Sequence, residues 1–253
     1  MADISFVHFA STGKQLATRR MVEQVRSLYP DSYYYLVSDA VDDHTELADQ
    51  YQLDFNFAPV KLGYPVYPKG YAGRAVYEWL LRLRRGCESA KTSHVVMMED
   101  DVLVRKPITL QDDWAIAAHE LNPDGLGNAI ASEVIEIIEV FAGKKPVTHQ
   151  YASGGGSIFN TKIFLDNFDR VSEFFLEHTD VIAENFYPQI GWIDCFMTVY
   201  YMLAGHDYTI NPHLADTHNH RPGFDWDGFV AAQAEHIEII NNYKKYYWTD
   251  HDK

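Results

Sequence analysis

Positive charge and long apolar runs are both scarce in this sequence. With 21 Lys and Arg residues against 36 Asp and Glu residues, the 253-residue chain has a formal net charge of −15. This balance argues against a nucleic-acid partner, because binding to a phosphate backbone depends on clustered lysines and arginines. No apolar run reaches the roughly 20 residues that cross a bilayer, and the first residues lack the features of a signal peptide. We therefore expect a cytoplasmic protein without membrane association.

Cysteine is rare as well. Cys87 and Cys195 are the two cysteines, and they do not share the short spacing of a metal site. We interpret them as core thiols in a reducing compartment.

Strand-like and helix-like patterns alternate along a chain that is 47% hydrophobic. This alternation predicts an α/β fold with a mixed central sheet flanked by helices. We predict strands at residues 4–10, 33–37, 55–60, 94–101, 157–160 and 207–210. We predict helices at residues 14–28, 71–89, 130–141, 161–175 and 194–203. The strand–helix–strand start favours a nucleotide-binding first half.

Three consecutive carboxylates, Glu99, Asp100 and Asp101, follow the apolar run His94–Met98. Ligands of α/β sheets bind beyond the carboxyl ends of the strands. Adjacent acids repel one another, so they must either stay solvated or share a cation. A hard divalent metal that holds a phosphate-bearing substrate would explain the cluster, although a solvated acidic turn would also fit it.

Two glycine-containing segments are candidate ligand loops. Gly154, Gly155 and Gly156 let the backbone approach a ligand closely and expose amide donors. Lys69 and Arg74, on either side of Gly70 and Gly73, could contact a diphosphate or a sugar. Each segment could equally be a simple turn.

Asp194 and a late group of histidines complete the candidates. Asp194 opens a predicted helix, where an acid usually serves as a cap but is also rigidly aimed and could act as a general base. The neighbouring Trp192 offers a flat apolar face for a sugar ring. His218 and His220 would point the same way on an extended chain and could bind a metal. A polar surface loop is the alternative for these histidines.

The order of these features resembles the GT-A glycosyltransferases, over roughly residues 4–220. The resemblance is strongest at residues 95–101, where Glu99-Asp100-Asp101 takes the place of the family's Asp-x-Asp motif. It implies a GT-A-like (Rossmann-type) sheet in a single catalytic domain. Residues 1–103 would form the nucleotide-binding half, residues 104–223 the acceptor and sugar half, and residues 224–253 a helical tail.

The resemblance also implies a role for each candidate residue. Asp101, Glu99 and one of the histidines His218 and His220 would hold Mn²⁺ or Mg²⁺, and Asp194 would be the base of an inverting enzyme. Trp192 would contact the acceptor. The implied donor-binding residues are Phe9, Ala10, Ser11, Thr12, Asp39, Lys69, Arg74, Glu99, Asp100, Gly154, Gly155 and Gly156.

The implied reaction transfers a sugar from a UDP- or GDP-sugar to a hydroxyl of a glycan or another acceptor, with inversion. Several alternatives remain open at the level of sequence. They are a retaining transferase, a metal-dependent nucleotide-sugar hydrolase, a nucleotidyltransferase and a non-catalytic carbohydrate-binding module.

Overall fold

Among the described residues, seven strands form one sheet at the centre of the protein. The computed structural model describes residues 4–10, 15–38, 42–57, 72–99, 102, 104, 106–111, 113–118, 130–147, 149–150, 155–181 and 193–210. The strands are β1 (Ile4–Ala10), β2 (Tyr34–Ser38), β3 (Asp54–Phe57), β4 (His94–Glu99), β5 (Ile116–Ala118), β6 (Ile158–Asn160) and β7 (Thr209–Ile210). Their spatial order is β3-β2-β1-β4-β6-β5-β7. The mixed α/β fold predicted from the sequence is confirmed.

The strands run in one direction except for β6. The neighbours β3, β2, β1 and β4 are parallel, whereas β6 pairs antiparallel with both β4 and β5. Because β7 is parallel to β5, both of these strands run in the same direction as β4. The carboxyl ends of six strands therefore lie along one edge of the sheet, here called the carboxyl edge, and the opposite edge is called the amino edge.

Helices cover both faces of this sheet. They are α1 (Gln15–Leu28), α2 (Thr45–Tyr51), α3 (Ala72–Ala90), α4 (Ser132–Ala142), α5 (Thr161–Glu177) and α6 (Ile193–Leu203). Successive side chains of a strand point to opposite faces of the sheet, so alternate strand residues belong to two apolar clusters, one on each face. One cluster joins the sheet to α1 and α2, and the other joins it to α3, α4, α5 and α6.

Two short elements are absent from the sequence prediction. The helix α2 has seven residues and β5 has three, too few for a hydrophobic period to stand out. The last strand is also shorter than predicted: it begins at Thr209, two residues after Asp207. The Asp207 carboxylate accepts hydrogen bonds from Lys144 Nζ at 2.9 Å and from the Val147 amide at 2.8 Å.

Two further observations concern the described helices and the described cysteine. None of the helices in these ranges has the length and apolar character needed to cross a membrane. Cys87 is buried and is not in a disulfide. Burial raises the pKa of its thiol well above the ordinary value, so the thiol stays protonated and behaves as a core side chain. The side chain of Cys195 lies outside the described residues.

Candidate functional site at the carboxyl edge

The end of β4 places Glu99 at the carboxyl edge, beside the end of β1. Phe9 and Glu99 are register partners across the parallel β1–β4 pair, and Ala10, the last residue of β1, is the partner of Ser38 in β2. The Phe9 ring stacks on Trp79 of α3, with ring centroids 5.1 Å apart and an interplanar angle of 28°. Because this ring is part of the core, the donor contact predicted at Phe9 would be a contact of its main chain.

The glycine-rich segment lies directly against Glu99. A Cβ atom built on Gly155 would lie 3.2 Å from Glu99 Oε2 and 3.6 Å from Glu99 Cδ. The same atom would lie 2.9 Å from a methyl group of Val102, a fully buried side chain just beyond β4. Two segments that the sequence separates by more than 50 residues therefore meet at the carboxyl edge.

The reversed direction of β6 explains this meeting. The Gly156 amide donates to the Met97 carbonyl at 2.7 Å, and the Met97 amide donates to the Ser157 carbonyl at 2.9 Å. These bonds extend the β4–β6 pairing up to the carboxyl edge. Gly156 has a φ of +79°, a backbone conformation that glycine adopts without steric penalty, and it turns the chain into β6.

The start of α3 lies at the same edge and brings Arg74 there. Gly73 is so close to the end of α5 that an added Cβ would lie 1.9 Å from the Phe175 carbonyl oxygen. The Arg74 guanidinium forms an ion pair with Glu78 at 2.6 Å and lies over the Tyr77 ring, 5.3 Å from its centroid. Its buried Nε has no hydrogen-bond partner among the described residues. Arg74 is thus a cation next to the edge that carries Glu99.

The start of α6, which contains Asp194, also points toward the carboxyl edge. Phe196 packs on Phe175 near the end of α5, with ring centroids 5.9 Å apart. One turn and a half further on, Tyr201 donates to the carbonyl of Asn160, at the amino edge, at 2.9 Å. The first residues of α6 are therefore at the end of the helix nearer to Glu99. The backbone of Asp194 belongs to α6, and its side chain lies outside the described residues.

Other predicted site residues fall outside the described ranges. They are Ser11, Thr12, Asp39, Lys69, Asp100, Asp101, Gly154, Trp192, His218 and His220. Within the described ranges, no three His, Cys, Asp or Glu side chains come together as a metal site. The predicted ligand set of Glu99, Asp101 and a late histidine has only Glu99 inside those ranges, so it stays a prediction.

Two residues near the site have no role in the sequence prediction. Val102 limits the space beside Gly155, and the Trp79 ring packs against the Phe9 ring near the end of β1. Val102 follows the acidic cluster by one residue, which is the only sequence signal that could have indicated it. Trp79 shares one helix face with Val76, Leu80 and Leu83, all buried, a spacing that predicts a core position but not its partner.

The residues that the structure describes are compatible with a divalent metal. Glu99 supplies carboxylate oxygens, the ligands that Mg²⁺ and Mn²⁺ prefer. Its carboxylate extends into a space that a single Cβ on Gly155 would enter. A partly exposed glutamate at the carboxyl edge, two residues before Asp101 in the sequence, fits the requirements of such a site.

Comparisons with known proteins return solved structures alone. No family model matches the chain, and no curated protein sequence matches it. A crystal structure of the galactosyltransferase LgtC in complex with donor and acceptor sugar analogs is similar over 80% of this chain and 72% of that chain, with 16% identity and a TM-score of 0.46. An active-site mutant of LgtC is similar over the same shares, with 18% identity and a TM-score of 0.44. Both TM-scores lie below 0.5, so this likeness assigns no function to the chain.

Proposed function

We propose that this protein is a metal-dependent glycosyltransferase that moves a sugar from a nucleotide-diphosphate donor to a hydroxyl acceptor, with inversion. The observation that carries the proposal is the position of Gly155 beside the Glu99 carboxylate at the carboxyl edge, where a Cβ atom on the glycine would lie 3.2 Å from Oε2. This arrangement brings an acidic strand end and a glycine-rich segment together, as a site for a cation and a phosphate-bearing ligand requires. The start of α3 with Arg74 and the start of α6 with Asp194 point toward the same edge.

The residues would divide the work between binding and proton transfer. Glu99, Asp101 and either His218 or His220 would hold Mn²⁺ or Mg²⁺, which when bound would offset the negative charge that gathers on the departing diphosphate. The ends of β1 and β2, with Ser11, Thr12 and Asp39 beyond them, would surround the nucleoside.

Asp194 would accept the proton of the acceptor hydroxyl. The hydroxyl oxygen then attacks the anomeric carbon, the bond from that carbon to the diphosphate oxygen breaks, and the configuration of the carbon inverts. Trp192 would hold the acceptor ring. Binding donor and acceptor in line lowers the entropic barrier of this displacement.

A thermal-shift panel of UDP- and GDP-sugars, each with and without Mn²⁺, tests the donor. A ligand that binds the native state adds about 2.7 kcal/mol to the free energy of unfolding at a concentration of 100 Kd, and it therefore raises the melting temperature. We expect a shift for one nucleotide class that depends on Mn²⁺. Asp101→Ala should abolish the Mn²⁺-dependent part, and normal donor turnover by that variant would remove Asp101 as a ligand.

Product analysis separates the proposal from its alternatives. Asp194→Asn should bind donor but lose transfer, and unchanged transfer would remove Asp194 as the base. A product of retained anomeric configuration would replace the inverting mechanism by a retaining one. Release of free sugar without an acceptor would indicate a hydrolase, and formation of a nucleotide-sugar from a nucleoside triphosphate would indicate a nucleotidyltransferase.

A further inference from the structure

The acid that ends β4 is a glutamate, and its length matters at this position. The Glu99 side chain reaches one carbon–carbon bond, about 1.5 Å, further than an aspartate would. Its Oε2 atom comes to 3.2 Å from where a Cβ on Gly155 would lie. That separation is shorter than an ordinary carbon–oxygen contact. The carboxylate therefore uses space that exists only because residue 155 lacks a side chain.

Val102, the second side chain beside this space, is more tightly held than the Glu99 carboxylate. Val102 is 0% exposed, and its methyl group would lie 2.9 Å from the added Cβ. Its amide is also tied to the Glu99 carbonyl at 3.1 Å. The Glu99 carboxylate, in contrast, is the far end of a flexible side chain that is partly exposed. A methyl group at position 155 would therefore press on both side chains: the 2.9 Å approach forces the Val102 methyl group or the glycine backbone to shift, and the 3.2 Å approach displaces the Glu99 carboxylate by a few tenths of an ångström.

The restriction at Gly155 is one of space alone. The glycines with positive φ in the described ranges are Gly143, Gly156 and Gly205, and Gly155 is not among them. An alanine at position 155 is consequently free of the backbone strain that positive φ brings. The effect of Gly155→Ala can be assigned to the atoms that its Cβ meets.

We propose that Gly155 is a positioning residue for Glu99. Its missing side chain holds open the space that the Glu99 carboxylate occupies, and this pairing is what makes a glutamate the acid at the end of β4. The part of this inference that concerns a cation rests on the proposed function. The steric coupling between positions 99 and 155 does not.

A double-mutant cycle tests the coupling on the full chain. Gly155→Ala is made in the native background and in the Glu99→Asp background, where the shorter side chain withdraws from the added methyl group. Gly205→Ala is the control, because Gly205 has a φ of +86° and nothing within 4 Å of its Cβ position. A third background, Val102→Ala, separates the contact with the valine from the contact with the carboxylate.

The first readout is the Kd for Mn²⁺ alone, measured by the electron paramagnetic resonance signal of free Mn²⁺. Gly155→Ala should raise the Kd about tenfold or more in the native background, as the loss of ligand support typically does. In the Glu99→Asp background the same change should alter the Kd less than about threefold. Gly205→Ala should leave the Kd unchanged. An unchanged Kd for Gly155→Ala, or equal factors in the two backgrounds, would overturn the proposal.

The second readout is urea unfolding in EDTA, which needs no cation. Gly155→Ala should lower the urea midpoint more in the native background than in the Glu99→Asp background, and equal drops would overturn the proposal. Wild-type protein that binds no Mn²⁺ would refute the metal of the proposed function, and the unfolding cycle would still decide whether Gly155 positions Glu99. The same readout decides the matter if Glu99→Asp alone binds Mn²⁺ too weakly to measure.

Discussion

Replacing Gly73 by alanine tests how the start of α3 is held at the carboxyl edge. The added Cβ would lie 1.9 Å from the Phe175 carbonyl oxygen and 2.4 Å from Thr179 Oγ1. An ordinary carbon–oxygen contact is longer by more than about 1 Å. The nearest obstacle is a backbone atom, so the clash cannot be relieved by a change of rotamer, and α3 has to move relative to α5.

Two opposing effects set the magnitude of this change. Alanine is favoured over glycine inside a helix by at most about 1 kcal/mol, and forced overpacking costs about 1–3 kcal/mol. Because the obstacle is backbone, we take the upper end of the second range and expect a net loss of about 2 kcal/mol. For a chain of this size that loss lowers the Tm by about 4–8 °C.

Urea and thermal unfolding, each followed by circular dichroism, measure this loss. Gly143→Ala is the matched control, because Gly143 has a φ of +67° and nothing within 4 Å of its Cβ position. It should cost about 1 kcal/mol through backbone conformation alone. Gly73→Ala should cost more than this control and should also weaken donor binding, since Arg74 follows directly. A stabilising Gly73→Ala would refute the close contact between α3 and α5.

Three further predictions concern two residues of the core. Tyr35 is fully buried and its hydroxyl has no hydrogen-bond partner among the described residues, so Tyr35→Phe should raise the free energy of unfolding by about 1 kcal/mol at neutral pH. Burial raises the pKa of Tyr35 to about 12, so this tyrosine ionises at lower pH in the unfolded chain than in the folded protein. Between about pH 9 and about pH 11, the free energy of unfolding should therefore fall by about 1 kcal/mol more for wild type than for Tyr35→Phe, as measured by urea titrations. Parallel pH profiles for the two proteins would contradict this. Trp79→Ala, which removes a 1%-exposed side chain stacked on Phe9, should cost about 3–5 kcal/mol in the same assay, and a loss below about 1 kcal/mol would show that the ring is not packed there.

The sequence predicts the long elements of the fold well. The runs that became β1, β4, α3 and α5 are either continuously apolar or have a clear helical period. The short β5 consists of Ile116-Ala117-Ala118, and its strand character comes from pairing with β6 and β7. Pairing between distant segments is tertiary information that no local pattern contains.

In the candidate site, too, local sequence patterns predict the individual segments but not the contact between them. The acidic strand end and the glycine-rich segment are both visible in the sequence, and the rule that ligands bind at the carboxyl ends of strands predicts that Glu99 lies at a site. The contact of Gly155 with Glu99 depends on the antiparallel direction of β6, which the sequence does not specify. The sequence prediction gives Gly155 as a donor-binding residue, and the structure adds its position beside the Glu99 carboxylate.

The reversed direction of β6 also imposes an order on folding during synthesis. The nascent chain completes β1 to β4 long before residue 155 leaves the ribosome, and until β6 arrives the hydrogen-bonding side of β4 that β6 will cover is open. An unpaired, apolar strand edge invites association with other chains. A fragment that stops near residue 103 would therefore carry the first acid of the cluster without its glycine neighbour. It should collect in aggregates rather than act as an independent nucleotide-binding unit.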